Sequence, residues 1–178
     1  MPIEEYTKEE MPTVGKKVLV EMTSTQNDMT GVGFFTVKKG SPDKLLSDAP
    51  GAEKNEYSLV SEGILEEKDG RIILSYEENA IEGITGCTTV ISFDKKAPEC
   101  VTVERRGPLA SLFVISKGER LFSIYQTPYG ALDMCIYAKK VENTITSEGG
   151  NLSLDYAVEL KGLTAQRTRM EVKLKELK

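Results

Sequence analysis

Arg105 is the side chain that asks for a chemical explanation. In "ECVTVERRG" it shares the alternating parity of Val101 and Val103, so a strand burying those valines turns a guanidinium inward too. A buried guanidinium is costly unless it is paired or solvated. Two arrangements answer that cost. One is an internal carboxylate such as Glu77 or Glu78; the other is an anionic ligand gripped by the planar fork. Arg106 has the opposite parity and belongs to the wet face.

The stretch "RLFSIYQTPYGALDMCIY" raises a second question. Pro128 pre-sets φ for the first corner of a turn and Gly130 tolerates a left-handed backbone, so T-P-Y-G suits a three-residue bulged hairpin. That register sets Thr127 opposite Ala131, Tyr125 opposite Asp133 and Ile124 opposite Met134, and it lets Tyr125 and Asp133 share a hydrogen bond. Turn chemistry accounts for the proline and the glycine but not for Tyr129. A phenol at that corner can cap a ligand or dock another segment. The candidate ligand-binding residues are therefore Arg105, Tyr125, Thr127 and Tyr129.

Other chemistry is poorly supplied. The chain has no histidine, which excludes a Ser-His-Asp triad, a Cys-His pair and a His-ligated zinc site. Proton transfer near neutral pH would fall to a shifted carboxylate, lysine, tyrosine or cysteine. Glu66, Glu67, Glu77 and Glu78 come closest, yet they read as exposed strand ends. Cys87, Cys100 and Cys135 have no C-x-x-C spacing and read as core or wall thiols of a reducing compartment. "GVGFF" lacks the strand–helix context of a phosphate loop. No catalytic residue, metal site or cofactor is expected.

The elements that must position Arg105 are strands. In "GGNLSLDYAVELKG" Leu152, Leu154, Tyr156, Val158 and Leu160 share one face, opposite Ser153, Asp155 and Glu159. "AQRTRMEVKLKEL" repeats the pattern with Met170, Val172 and Leu174 inside, and "KKVLVEMTS" opens it with Val18, Val20 and Met22. Turn signals such as Asp69-Gly70 follow at short intervals. About ten strands result, near 16–25, 56–67, 71–79, 84–93, 99–106, 110–116, 119–127, 131–145, 151–161 and 165–176. No helical period of any length appears. Ten strands in an open sheet would leave two exposed edges, and closure removes them. The expected fold is all-β, a single antiparallel up-and-down barrel of about eight to ten strands. On the 119–127/131–145 hairpin, Phe122, Ile124, Met134, Ile136 and Ala138 form the apolar face expected inside, which would leave Tyr125 outside.

At 178 residues the chain is read as one domain, able to bury roughly 70% of its unfolded surface. Residues 1–14 read as a disordered acidic lead-in and 15–178 as the barrel. The Gly- and Pro-rich excursion between the first two strands is longer than a hairpin loop and reads as a surface excursion or a plug. The net charge of −5 argues against non-specific nucleic-acid binding. No apolar run reaches the ~18–20 residues of a membrane span, and the acidic amino terminus is no signal peptide, so a cytoplasmic protein is expected.

From "YSLVSEGILEEKDGRIILSYEE" through "GITGCTTVISF", "VTVERRGPLASLFVISKGER", "YQTPYGALDMCIYAKKVE" and "GNLSLDYAVEL", the chain resembles the YwiB-like family of uncharacterised bacterial proteins. The resemblance spans roughly residues 16–176. It rests on the order and spacing of S-Y-E-E at Ser75–Glu78, R-x-G at Arg105–Gly107 and T-P-Y-G at Thr127–Gly130. It implies a calycin-like barrel, similar to lipocalins and fatty-acid-binding proteins, and no established activity. The lipocalin G-x-W is missing, as the chain has no tryptophan. The R-x-Y of fatty-acid carriers is missing too, since "QRTRMEV" carries its arginines on the polar face. The expected function is a non-catalytic binding module for a small, partly apolar ligand, anionic or neutral. The alternative is a packed barrel serving as an interaction or structural module.

Overall fold

The computed structural model describes residues 15–28, 53–78, 86–107, 110–127 and 130–177, with 28, 53 and 125–127 as backbone only. The strands are β1 (Lys16–Asp28), β2 (Glu53–Lys68), β3 (Arg71–Glu78), β4 (Cys87–Asp94), β5 (Cys100–Arg106), β6 (Ser111–Ser116), β7 (Arg120–Thr127), β8 (Gly130–Asn143), β9 (Gly150–Leu160) and β10 (Leu163–Glu176). Each of the ten expected strands is present, within a few residues of its expected bounds. The acidic lead-in and most of the Gly- and Pro-rich excursion lie outside the described residues.

Every neighbouring pair is antiparallel, and β1 closes the barrel by pairing with both β2 and β10. Long β1 makes closure possible. It holds Val18↔Gly63 on one side and Val18↔Glu176 on the other, and both ladders run to Asp28. The thin seam is between β6 and β7, which share one registered pair, Ser111↔Tyr125.

Alternation drives the burial. Ile72, Leu74, Ile91, Val101, Ile115, Ile136, Leu154 and Val172 fill one continuous interior cluster, each side chain contributing about 1.5–3 kcal/mol relative to exposure. Two-residue turns set the registers. Asp69 and Gly70 adopt φ of 52° and 77°, the left-handed pair a tight hairpin requires, and Lys68↔Arg71 closes the ladder behind them.

The barrel has two unlike ends. The β2–β3, β4–β5, β6–β7 and β8–β9 connections gather at one end, where their turns tie together. Lys95 N donates to Gly70 O at 3.0 Å, Lys117 N to Glu99 O at 3.2 Å, and Asn143 Nδ2 to Pro98 O at 3.1 Å. Ile145 and Phe93 are buried there, closing that end with apolar side chains. The strand ends at Asp28, Glu53, Glu78, Cys87, Arg106, Ser111, Thr127, Gly130, Leu160 and Leu163 lie at the opposite end.

The hairpin of β7 and β8 departs from its expected register. Thr127 pairs with Gly130, Tyr125 with Leu132 and Ile124 with Asp133, so two residues separate the paired positions where three were expected. A one-residue slip exchanges the faces of a strand. Met134, Ile136 and Ala138 point inward as expected, but Phe122 and Ile124 lie outside, 89% and 57% exposed. Leu121 and Ser123 take the inward parity on β7, and the backbone at 125 shares it.

On the outer wall, β9 and β10 are joined by a charge cluster. Arg167 bonds Asp155 through Nε at 3.0 Å and Nη2 at 2.8 Å, and Arg169 Nε reaches it at 3.3 Å. The Arg167 hydrogen bonds, helped by Arg169, hold the Asp155 carboxyl below its ordinary value of 3.8. A depressed carboxylate adds stability above its unfolded value, and that stability is lost as the pH falls through the folded one. Asp155→Asn is expected to cost about 1 kcal/mol at neutral pH. The gap from the parent protein should close as the pH falls below the ordinary aspartate range, as followed by urea unfolding.

Candidate functional site

At the end opposite the apolar turns, the interior changes from hydrocarbon to polar groups. The inward parity of β1 continues from Val18 and Val20 to buried Ser24 and then to Gln26. Across from these stand Tyr57 and Asn55 on β2, paired as Ser24↔Tyr57 and Gln26↔Asn55. On β10 Thr168 is paired with Gln26, and Tyr156 of β9 is paired with Thr168. The alternation that makes the core therefore runs on through hydrogen-bonding residues.

Arg105 is the charge in this region. It sits in the row Thr89↔Arg105↔Ser111↔Tyr125↔Leu132 across β4 to β8. Its Nη2 lies 2.9 Å from one Glu78 oxygen and 3.1 Å from the other, and Thr89 Oγ1 donates to Glu78 at 2.6 Å. The Glu78 side chain is 7% exposed and that of Arg105 32%. Glu78 is thus the buried carboxylate of the internal pair expected for Arg105 through Glu77 or Glu78, and not the exposed strand end it also read as. Glu77, by contrast, is exposed. Burial pulls Arg105 toward deprotonation, but the Glu78 carboxylate outweighs it and holds the guanidinium above its ordinary range.

Three tyrosines feel the charge of Arg105. Burial pushes the phenols of Tyr57, Tyr76 and Tyr156 upward, while the positive charge of Arg105 acts on all three in the opposite direction. Arg105 therefore exerts its field on residues of β2, β3 and β9.

Among the described residues some of the polar atoms have no partner. Arg105 Nε, Gln26 Oε1 and Asn55 Nδ2 are shielded from solvent without a hydrogen bond. A shielded polar atom without a partner is uncommon and costs about 1–3 kcal/mol.

Gly107 secures the backbone next to Arg105. It holds φ of 122°, and a Cβ there would lie 2.5 Å from the Gly86 carbonyl oxygen. The glycine of R-x-G thus lets β5 leave the rim close against the start of β4.

Of the residues singled out from the sequence, Arg105 lies in the polar interior, and the backbones of Tyr125 and Thr127 reach the same end. The expected Tyr125–Asp133 pairing does not form, since Asp133 stands opposite Ile124. Tyr129 lies outside the described residues. Sequence reading missed Gln26 and Asn55 because it ended one strand at 25 and began the next at 56. The signal was the unbroken period of two, carried past the last apolar residue by polar ones.

Other features do not add to the site. Cys87, Cys100 and Cys135 are free thiols. Among the described residues no three His, Cys, Asp or Glu side chains gather to hold a metal ion. A shallow depression of about 600 Å³, lined by exposed Lys17, Val60, Glu62 and Glu77 along with Tyr76, lies on the outer wall of β2 and β3 and does not include Arg105.

Comparison with known proteins adds a family and a fold. No curated protein matches the chain. The crystal structure of the ywiB protein from Bacillus subtilis superposes with a TM-score of 0.62 at 15% identity, covering 93% of this chain and 96% of that one. At that identity the likeness speaks for the barrel alone. The family model described as "Domain of unknown function (DUF1934)" matches residues 47–172, most of the barrel, and the chain belongs to that family.

Proposed function

We propose that this protein is a non-catalytic binding module whose barrel takes a small, partly apolar molecule into its polar half. The observation that carries this reading is that, among the described residues, three polar atoms of inward-parity residues, Arg105 Nε, Gln26 Oε1 and Asn55 Nδ2, are shielded without a hydrogen bond. A few polar groups in an apolar concavity is the usual composition of a ligand site. The strand ends at 125–127 and 130 border the same end, so Tyr125, Thr127 and Tyr129 are proposed to contribute to its rim.

Native mass spectrometry and solvent extraction of protein purified without denaturation test this. The expected result is a co-purifying small molecule that Arg105→Met releases. An empty parent protein, with a crystal structure showing side chains filling the region around Arg105, would overturn the reading.

A second reading has its own observation. Leu112, Phe122 and Ile124 are 50%, 89% and 57% exposed on the outer face at the thin β6–β7 seam, which suits a protein contact. If the barrel is an interaction module, Phe122→Ser with Ile124→Ser should abolish capture of a stable partner from the native cell. Capture unaffected by that pair of changes would count against it.

A further inference from the structure

The charge around Arg105 is already balanced, and that bears on what kind of head group the polar half can hold. This inference rests on the binding reading above and deepens it. Glu78 holds Arg105 Nη2 through both carboxylate oxygens, at 2.9 and 3.1 Å, and is itself held by Thr89. Glu78 is the charged residue that is buried among the described ones, and its partner is Arg105. The pair therefore sums to zero. An incoming carboxylate or phosphate would share one guanidinium with a buried carboxylate, and like charges held that close in a poorly solvated site repel strongly.

The partnerless atoms ask for something else. Arg105 Nε and Asn55 Nδ2 are donors, and Gln26 Oε1 is an acceptor. Gln26 and Asn55 are paired in register across β1 and β2, so a partnerless acceptor and a partnerless donor belong to neighbouring positions of the two strands. A group with a carbonyl oxygen and an adjacent N–H satisfies such a pair. With the Gln26 amide oriented as it is, an anion, which only accepts, would leave its oxygen without a partner. The phenols of Tyr57, Tyr76 and Tyr156, raised by burial, stay neutral and contribute no compensating charge.

We infer that the polar half of the barrel recognises a neutral amide-type head group, one that both donates and accepts hydrogen bonds, in preference to a carboxylate or phosphate.

Benzamide and benzoate separate these cases, because they have the same apolar body and differ in the head group. Each is titrated into the full-length protein and followed by amide and methyl NMR shifts of residues lining the polar half. The expected result is benzamide binding at least tenfold more tightly than benzoate. Glu78→Gln, which frees the charge of Arg105, should move the ratio toward benzoate by about tenfold. Asn55→Leu, which removes a donor without touching the ion pair, should lower benzamide affinity severalfold and keeps the test available if Glu78→Gln does not fold. Benzoate binding the parent protein as well as benzamide, or better, overturns the neutral head group while leaving the binding reading intact. Absence of interior shifts with both probes overturns the binding reading, and this inference with it.

Discussion

Glu78→Ala is expected to lower the unfolding free energy by about 2–3 kcal/mol in urea titrations at neutral pH. Removing one partner of a buried ion pair leaves the other as an uncompensated charge, a loss of about 3–5 kcal/mol when the survivor is fully enclosed. Arg105 keeps 32% of its side-chain surface open, so water recovers part of that loss. The change also frees Thr89 Oγ1, which donates to Glu78 at 2.6 Å. The control is the double change Glu78→Leu with Arg105→Met. With both charges gone nothing unpaired remains, and the double variant should lie within about 1 kcal/mol of the parent. A double variant as unstable as Glu78→Ala would show that the region depends on shape and packing, not on charge balance.

Leu154→Ala is expected to cost more, about 3–4 kcal/mol. Leu154 sits on β9 between Val141 of β8 and Met170 of β10, and it is 1% exposed within the central cluster. A closed barrel cannot collapse around a missing side chain as an open edge can, because each strand is hydrogen-bonded on both sides. The cavity therefore persists and its cost adds to the lost transfer energy. Phe122→Ser makes the comparison sharp. That ring is larger but 89% exposed, so its loss should change stability by less than about 0.5 kcal/mol. Had the expected hairpin register held, with Phe122 inside, its removal would rank among the most damaging changes. Denaturant midpoints of these two variants decide between the two registers.

The hairpin shows where sequence reasoning reached its limit. Phe122 and Ile124 have the parity of a core face when β7 is read alone. Ser123 between them looks like a solvent residue, yet it faces inward and its hydroxyl bonds the Leu112 carbonyl across the seam. Which face of a strand is buried depends on its partners, and β7 has one registered pair with β6 against eight with β8. Register is therefore imposed on β7 from the β8 side, where Met134, Ile136 and Ala138 have to be inside. No local pattern in 120–127 carries that information.

The same distinction applies to the site. Arg105 was legible because its parity joined it to Val101 and Val103. Its need for a carboxylate narrowed the partner to Glu77 or Glu78, and the tertiary pairing of β3 with β4 and β4 with β5 selected Glu78. Gln26, Asn55, Tyr57 and Tyr156 converge on that end although they come from β1, β2 and β9, far apart in sequence.

The strands, their alternation and the closed antiparallel barrel follow from the sequence, because a period of two and glycine-bearing turns are local properties that each segment carries by itself. Which polar residues meet inside, which hairpin face is wet and which atoms are left without partners were decided only by the tertiary structure. Those outcomes depend on how far each strand slides against its neighbours before the ring closes, and closure is a property of all ten strands together.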